Sequence, residues 1–242
     1  MPDIVVYIVI GFFAQIIDGA LGMAFGVIST TAMLAFGVTP AAASAMTHVA
    51  EIFTTAASGA SHAWQRNINW KFVARLAPAG MIGGAIGAYV LSNVEGGVIE
   101  PFISVYLIGI GFYILVKAFR PLQARQRSDK LVPLIGLAGG TLDAIGGGGW
   151  GPIVTTSMVG RGHEPKKVIG STSITEFLVT LTISITFVLT LGWADMSSAV
   201  GLIVGGVLAA PIGALVVRRL PVRPLMIGVA VVIIATSIFR FF

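Results

Sequence analysis

The sequence predicts an all-α integral membrane protein. It reads as two inverted-topology repeats of about four helical segments each, the first segment of each half broken or re-entrant at a Gly-rich motif. Three observations lead there. Mean hydropathy is +0.95, and 56% of the 242 residues are hydrophobic against 10% charged, too little polar surface to cover a soluble globule of that size. The stretch Asp18-Gly-Ala-Leu-Gly-Met-Ala-Phe-Gly recurs without a gap as Asp143-Ala-Ile-Gly-Gly-Gly-Gly-Trp-Gly. The basic residues fall into clusters that one particular threading brings to a single side.

The repeat runs well past the motif. At the same offset of 125 positions Thr30 pairs with Thr155, Thr31 with Thr156, Met33 with Met158, Gly37 with Gly162, Pro40 with Pro165, Thr47 with Thr172, Glu51 with Glu176 and Thr55 with Thr180. Roughly a third of positions from Asp18 to Thr55 match, and shared apolarity does not reproduce carboxylates, threonines and a proline in register. The halves are residues 1–119 and 131–242, joined by a basic linker at 120–130 that is expected to be a cytoplasmic loop.

Each half offers four apolar segments: Ile4 to Phe36, Ala41 to Ala63, Phe72 to Leu91 and Val98 to Ala118, then Leu131 to Val159, Val168 to Leu191, Ser197 to Val217 and Leu225 to Phe242. The later three of each half have the length of one membrane helix, about 20 residues. The first of each half, at about 30 residues, is long for one span and short for two, and glycines interrupt it midway. Two short helices meeting at a re-entrant break fit that length. The first run lacks a basic leader and a small-residue cleavage site, so it is expected to remain in the mature chain.

Loop charge sets the threading. The net charge is +5, and Lys and Arg gather as Arg66, Lys71, Arg75; Lys117, Arg120, Arg125, Arg127, Lys130; Arg161, Lys166, Lys167; and Arg218, Arg219, Arg223, with Arg240 apart. Single crossings throughout would divide these clusters between the two sides. If the first segment of each half returns to its own side, all four become cytoplasmic, as short Lys/Arg-rich loops are, and the Glu95/Glu100 and Asp195 loops face outward. Each half then crosses an odd number of times and the halves are inverted. Eight plain spans with a weak charge bias is the alternative. The basic charge thus reads as topogenic, with no nucleic-acid partner, and the absence of cysteine excludes a thiolate nucleophile, disulfides and iron–sulfur clusters.

Four successive glycines, Gly146 to Gly149, weaken a helix by about 1 kcal/mol each relative to alanine, so they read as a break and not as packing glycines. Gly83-Gly-Ala-Ile-Gly and Gly205-Gly, in contrast, read as close helix contacts. At a break, freed N–H groups and the positive end of the next half-helix suit an anion. The binding candidates there are Gly22, Phe25 and Gly26 in the first half and Gly147, Gly148, Gly149, Trp150 and Gly151 in the second. Trp150, the partner of Phe25, closes over the substrate or else packs in the core. Asp18 and Asp143 begin the two breaks and read first as caps for the following half-helix, with proton relay as the alternative. Glu51 and Glu176 follow Thr47 and Thr172 by one helical turn and share a face with them. An unpaired, ionised glutamate at that depth costs several kcal/mol, which makes both glutamates candidates for proton coupling or for buried hydrogen bonding. His48 matches Ser173, and His48 with Ser171, Thr172 and Ser173 supplies further donors for oxyanion oxygens. Trp64, Trp70 and Trp193 sit at segment ends as interfacial anchors. His62 and His163 carry no strong signal.

At these residues the chain resembles the TauE/SafE family of sulfite-exporter-like membrane proteins. The likeness covers the duplicated Asp/Gly motif, the Pro40 and Pro165 helix starts, the Thr47/Glu51 and Ser171-Thr-Ser/Glu176 segments and the basic linker. It implies a multi-pass transporter of the bacterial cytoplasmic membrane, with no cofactor or metal, moving a small sulfur-containing anion such as sulfite or an organosulfonate (sulfoacetate), coupled to protons and directed outward. The residues themselves offer no arginine at membrane depth to clamp a dianion. A passive anion channel or uniporter of the same fold stays open as an alternative, as does, more remotely, an intramembrane aspartic protease using Asp18 and Asp143. A homo-oligomer is compatible with everything above.

Overall fold

The computed structural model describes residues 3–21, 23–120, 128–193, 199–216 and 222–240. Among these the chain is helical throughout. Helix α1 (Ile4–Leu21) and α2 (Phe25–Ala35) are followed by α3 (Pro40–Trp64), α4 (Trp70–Asn93) and α5 (Gly96–Phe119). A short 3-10 turn, Asp129–Leu131, leads into α6 (Val132–Gly146). A π-helical turn, Trp150–Thr155, runs on into α7 (Thr156–Gly160), followed by α8 (Pro165–Leu191), α9 (Ala199–Val216) and α10 (Val222–Phe239). Helices α4, α5 and α8 are long and apolar enough to cross a membrane. Most of the linker lies outside the described residues.

Helices α3, α4 and α5 overrun their apolar segments by one or two residues at each end, and α8 begins three residues ahead of its segment. Pro40 and Pro165 each occupy a first helical turn, where the missing N–H costs nothing. The Asn69 side chain accepts the Phe72 N–H to start α4.

Packing follows the small residues. Helix α4 lies along α6 and α1 along α9. A Cβ placed on Gly140 would sit 2.2 Å from the Gly80 carbonyl oxygen, and one on Gly83 2.1 Å from that of Leu137. Along the other seam, one on Gly205 would meet the Ile8 oxygen at 2.0 Å and one on Gly11 the Leu202 oxygen at 2.3 Å. With lipid as the competing solvent, such backbone contact is what holds helices together.

The two ends of the molecule differ in charge. At one end Lys167 Nζ donates to the Arg66 carbonyl, Arg161 to the Ser128 carbonyl, and Asp129 pairs with both Arg75 and His163. There too the Arg223 guanidinium lies 4.5 Å over the Phe119 ring. At the other end Thr190 of α8 donates to Ser92 of α4, and Arg240 pairs with Glu100. Glu100 therefore sits within α5 and not in a loop, and it neutralises the one basic residue that stands apart from the four clusters. Trp64, Trp70 and Trp193 are all well exposed at helix ends. Asp195 lies outside the described residues.

Replacing Gly140 or Gly205 by valine is expected to lower stability by ~1–3 kcal/mol, since the backbones must separate. Gly109→Ala, whose Cβ meets nothing within 4 Å, is expected to leave stability unchanged or raise it. Thermal unfolding of the detergent-solubilised protein measures both.

Candidate functional site

The chain breaks twice, between Leu21 and Phe25 and between Gly146 and Trp150, and the two breaks touch. A Cβ on Gly148 would fall 2.3 Å from Val27 N, and one on Gly151 would fall 2.6 Å from Met23 Cβ. Gly147 and Gly148 adopt φ of 66° and 146°, open to glycine at little cost. Tyr106 Oη donates to the Gly148 carbonyl at 3.1 Å, and Thr30 Oγ1 to that of Gly147 at 2.6 Å.

Each break is held by the aspartate that begins it. Asp18 Oδ1 accepts the N–H groups of Ala24 at 2.6 Å and Phe25 at 3.1 Å, and Asp143 Oδ1 accepts that of Trp150 at 2.9 Å. Phe25 and Trp150 are repeat partners, so the same bond is made twice. The threonines repeat as well: Thr47 donates to Thr30 at 3.0 Å, and Thr155 to Thr172 at 3.0 Å.

Against the breaks lies a polar cavity of about 270 Å³. Phe25, Gly26, Val27, Gly148, Gly149 and Gly151 form one wall. Helix α3 contributes Glu51, Thr54, Thr55, Ser58 and His62, and α8 contributes Ile169, Ser173 and Glu176, with Gln15 and Asp18 from α1. Three carboxyl groups therefore face one small space. Glu51 and Glu176 are each the twelfth residue of their helix, ~17 Å from its start, so both lie near the middle of helices of 25 and 27 residues. From them the lining runs along both helices toward His62 and Ile169, the end where the basic clusters meet. Asp18 takes two of the first-turn N–H groups of α2, and those of Gly26 and Val27 have no acceptor within their own helix.

Of the binding candidates, Phe25, Gly26, Gly148, Gly149, Gly151 and Ser173 line this cavity, as do the carboxylates Asp18, Glu51 and Glu176. Gly22 lies outside the described residues. Thr47, His48, Gly147, Trp150, Ser171, Thr172 and Asp143 stand behind the lining. Trp150 is fully buried, its indole N–H bonded to the Thr172 carbonyl and its ring filling the space over Gly80. It is a core residue supporting the break, whereas its partner Phe25 reaches the cavity. Ser171 Oγ accepts the Asn69 N–H and donates to the Lys167 carbonyl, and so is taken up by structure. Asp143, 1% exposed, gives one oxygen to Trp150 and faces His48 with the other, so Asp18 and Asp143 do not confront each other across the cavity as a proteolytic pair would.

Sequence reasoning passed over several lining residues. Glu51, Thr54, Thr55, Ser58 and His62 follow i, i+3, i+4, i+7, i+11, a polar stripe along one helix face that the spacing alone could have revealed. Lys117, counted with the loop charges, turns inward instead. Its Nζ lies 3.3 Å from Met23 Sδ, in the cavity wall, and 3.3 Å from Thr156 Oγ1.

An all-helical chain with apolar spans, interrupted helices and a carboxylate-lined cavity midway along two of its helices has the build of a membrane transporter. Residues 7–240 match the family model described as sulfite exporter TauE/SafE, and the chain belongs to that family. It is 41% identical over 242 residues to the probable membrane transporter protein YtnM of Bacillus subtilis (strain 168), covering 96% of this chain and 79% of that protein. No solved structure matches.

Gly148→Ala is expected to strain the backbone by ~1–3 kcal/mol and to push the two breaks apart, lowering both thermal stability and ligand binding. Ligand-induced thermal shift measures the two together.

Proposed function

We propose that the protein is a secondary transporter of a small sulfur-containing anion, sulfite or an organosulfonate such as sulfoacetate, and that it carries the anion together with protons. The observation that carries this reading is the cavity's composition. Asp18, Glu51 and Glu176 face a volume that is lined as well by Phe25, Gly26 and Val27 of the first turn of α2 and lies beside Lys117. An anion entering among ionised carboxylates meets repulsion of several kcal/mol at low dielectric. Protonating them removes that repulsion and leaves the N–H groups and hydroxyls to hold the anion. Anion and proton then bind together, which is the thermodynamic content of coupling. The family's description as sulfite exporters supports the substrate class and the outward direction.

The repeat supplies the movement. Helix α3 ends at the basic end, where its partner α8 begins, and α5 ends where its partner α10 begins. Those opposite directions support an inverted pair of repeats, residues 1–119 and 131–242, rocking about the touching breaks. With the basic end cytoplasmic, as in a bacterial inner membrane, the lining at Ser58, His62 and Ile169 lies toward the cytoplasm, which supports loading from that side.

Flux of labelled sulfite and sulfoacetate into proteoliposomes tests this. Saturable flux that rises with an imposed pH gradient is expected, and Glu176→Gln is expected to cut the gradient-driven part to background. Gradient-independent flux would point to a uniporter or channel, and absence of flux for both anions would overturn the substrate assignment. Because the chain has no native cysteine, Ser58→Cys gives a single thiol. It is expected to react with a membrane-impermeant maleimide from the cytoplasmic face and to be protected by the anion.

A further inference from the structure

Behind Glu51 lies a second group of ionisable side chains that the cavity itself does not expose. His48 is fully buried and Asp143 is 1% exposed, and the reactive atoms of His48, Glu51 and Asp143 all lie within 4.8 Å of one another. His48 Nε2 stands 3.4 Å from Asp143 Oδ2 and 4.0 Å from Glu51 Oε2.

The hydrogen bonds fix the histidine tautomer. His48 Nδ1 is 2.8 Å from the Ser44 carbonyl oxygen, which can only accept. It is also 3.2 Å from Ser44 Oγ, whose own hydrogen is donated to the Ala144 carbonyl at 2.6 Å. Both neighbours of Nδ1 are acceptors, so Nδ1 carries a hydrogen. In a neutral imidazole Nε2 then holds a lone pair, and that lone pair faces two carboxyl oxygens. Glu51 Oε2, itself buried, has no hydrogen-bond partner. Three buried acceptors within 4.8 Å of one another with no hydrogen among them is an arrangement a dry interior does not tolerate.

We infer that His48, Glu51 and Asp143 together form the seat of the transported proton: one labile hydrogen serves the cluster, borne in one form by Glu51 Oε2 and in the other by His48 Nε2, which stands within hydrogen-bond reach of Asp143 Oδ2 at 3.4 Å. This deepens the coupling reading and rests on it. Two forms balance. In one Glu51 is a carboxylic acid beside a neutral imidazole, and in the other the hydrogen has crossed to Nε2, giving imidazolium beside carboxylate. Both have a net charge of −1 once Asp143 is counted, and release of the proton leaves −2. Exchange with water runs through Glu51, the member that lines the cavity. His48 is one turn farther along α3 toward the uncharged end, so the hydrogen moves away from the basic end when it crosses.

The surroundings are accounted for on every side. Glu176 of α8 and Asp18 of α1 face Glu51 across the cavity. Phe187 of α8 lies 6.4 Å from the His48 ring and cannot exchange a proton. Tyr106 of α5 is near Asp143 but donates to Gly148. Lys117 sits at the Met23 wall, and the described side chains of α2 and α9 include no ionisable group. The second repeat has no counterpart, because Ser173 replaces the histidine and bonds to Ser58 Oγ at 3.2 Å. Glu51 and Glu176 are therefore unequal despite their equivalent positions.

Nitrogen-15 NMR of histidine-labelled protein in lipid, without substrate, tests the assignment. The chain has three histidines, and His48→Gln identifies the relevant signals. Nδ1 of His48 is expected to bear hydrogen throughout the titration, while Nε2 passes from bare to protonated in one step. Glu51→Gln is expected to move that step down by about one pH unit or more, since the amide no longer favours imidazolium. A bare Nδ1, a silent Nε2, or a step unmoved by Glu51→Gln would overturn the inference, and the wild-type spectrum alone decides the first two. Tight zinc or cobalt binding that shifts the His48 signals would overturn it too, by giving the cluster a metal as its occupant. Substrate is absent from the sample, so failure here leaves anion transport untouched, and a protein that moves no sulfite could still show the shared proton.

Discussion

Where a helix breaks inside hydrocarbon, the released backbone groups must find partners within the protein. That requirement organises the molecule. Asp18 and Asp143 each reach across a break to the first N–H groups of the next helix, which permits the interruption. The two interruptions then complete each other, with Gly148 against Val27 and Gly151 against Met23. Gly26, Gly148 and Gly151 must be glycine because a Cβ on any of them would fall within 2.8 Å of the facing break.

Everything near the cavity hangs from that contact. The threonine pairs tie α2 to α3 and the π-turn to α8, so the carboxyl-bearing helices are placed by the breaks they flank. Farther out, the glycine seams between α4 and α6 and between α1 and α9 hold the third segment of each half against the first segment of the other. Each first segment is thereby gripped by the opposite repeat, so displacement of one half relative to the other must act on the breaks.

Much of this was written in the chain. The register of Asp18 with Asp143 and of Thr47/Glu51 with Thr172/Glu176 marks both interruptions and both carboxyl-bearing helices in the sequence, because a polar residue in an apolar run is costly unless the fold gives it a partner. The aspartate caps followed from the same position. What could not be read was which equivalent residue faces the cavity. Phe25 lines it and Trp150 does not, since Gly80 of α4 and Gly139 of α6 leave a space for the larger ring. His48 likewise looked like an oxyanion donor by its match with Ser173, yet it points at Asp143, a partner 95 positions away. Lys117 was misjudged for a simpler reason: a long apolar stem lets a charge near a helix end turn toward either water or the interior.

The central claim is that the anion and at least one proton occupy the site together. Calorimetric titration of the purified protein with an organosulfonate that does not itself titrate near neutrality, repeated in buffers of differing ionisation enthalpy, counts the protons taken up per anion bound. The account predicts uptake of at least one proton and binding that tightens as pH falls. Binding with no proton uptake, or binding that tightens as pH rises, would contradict it.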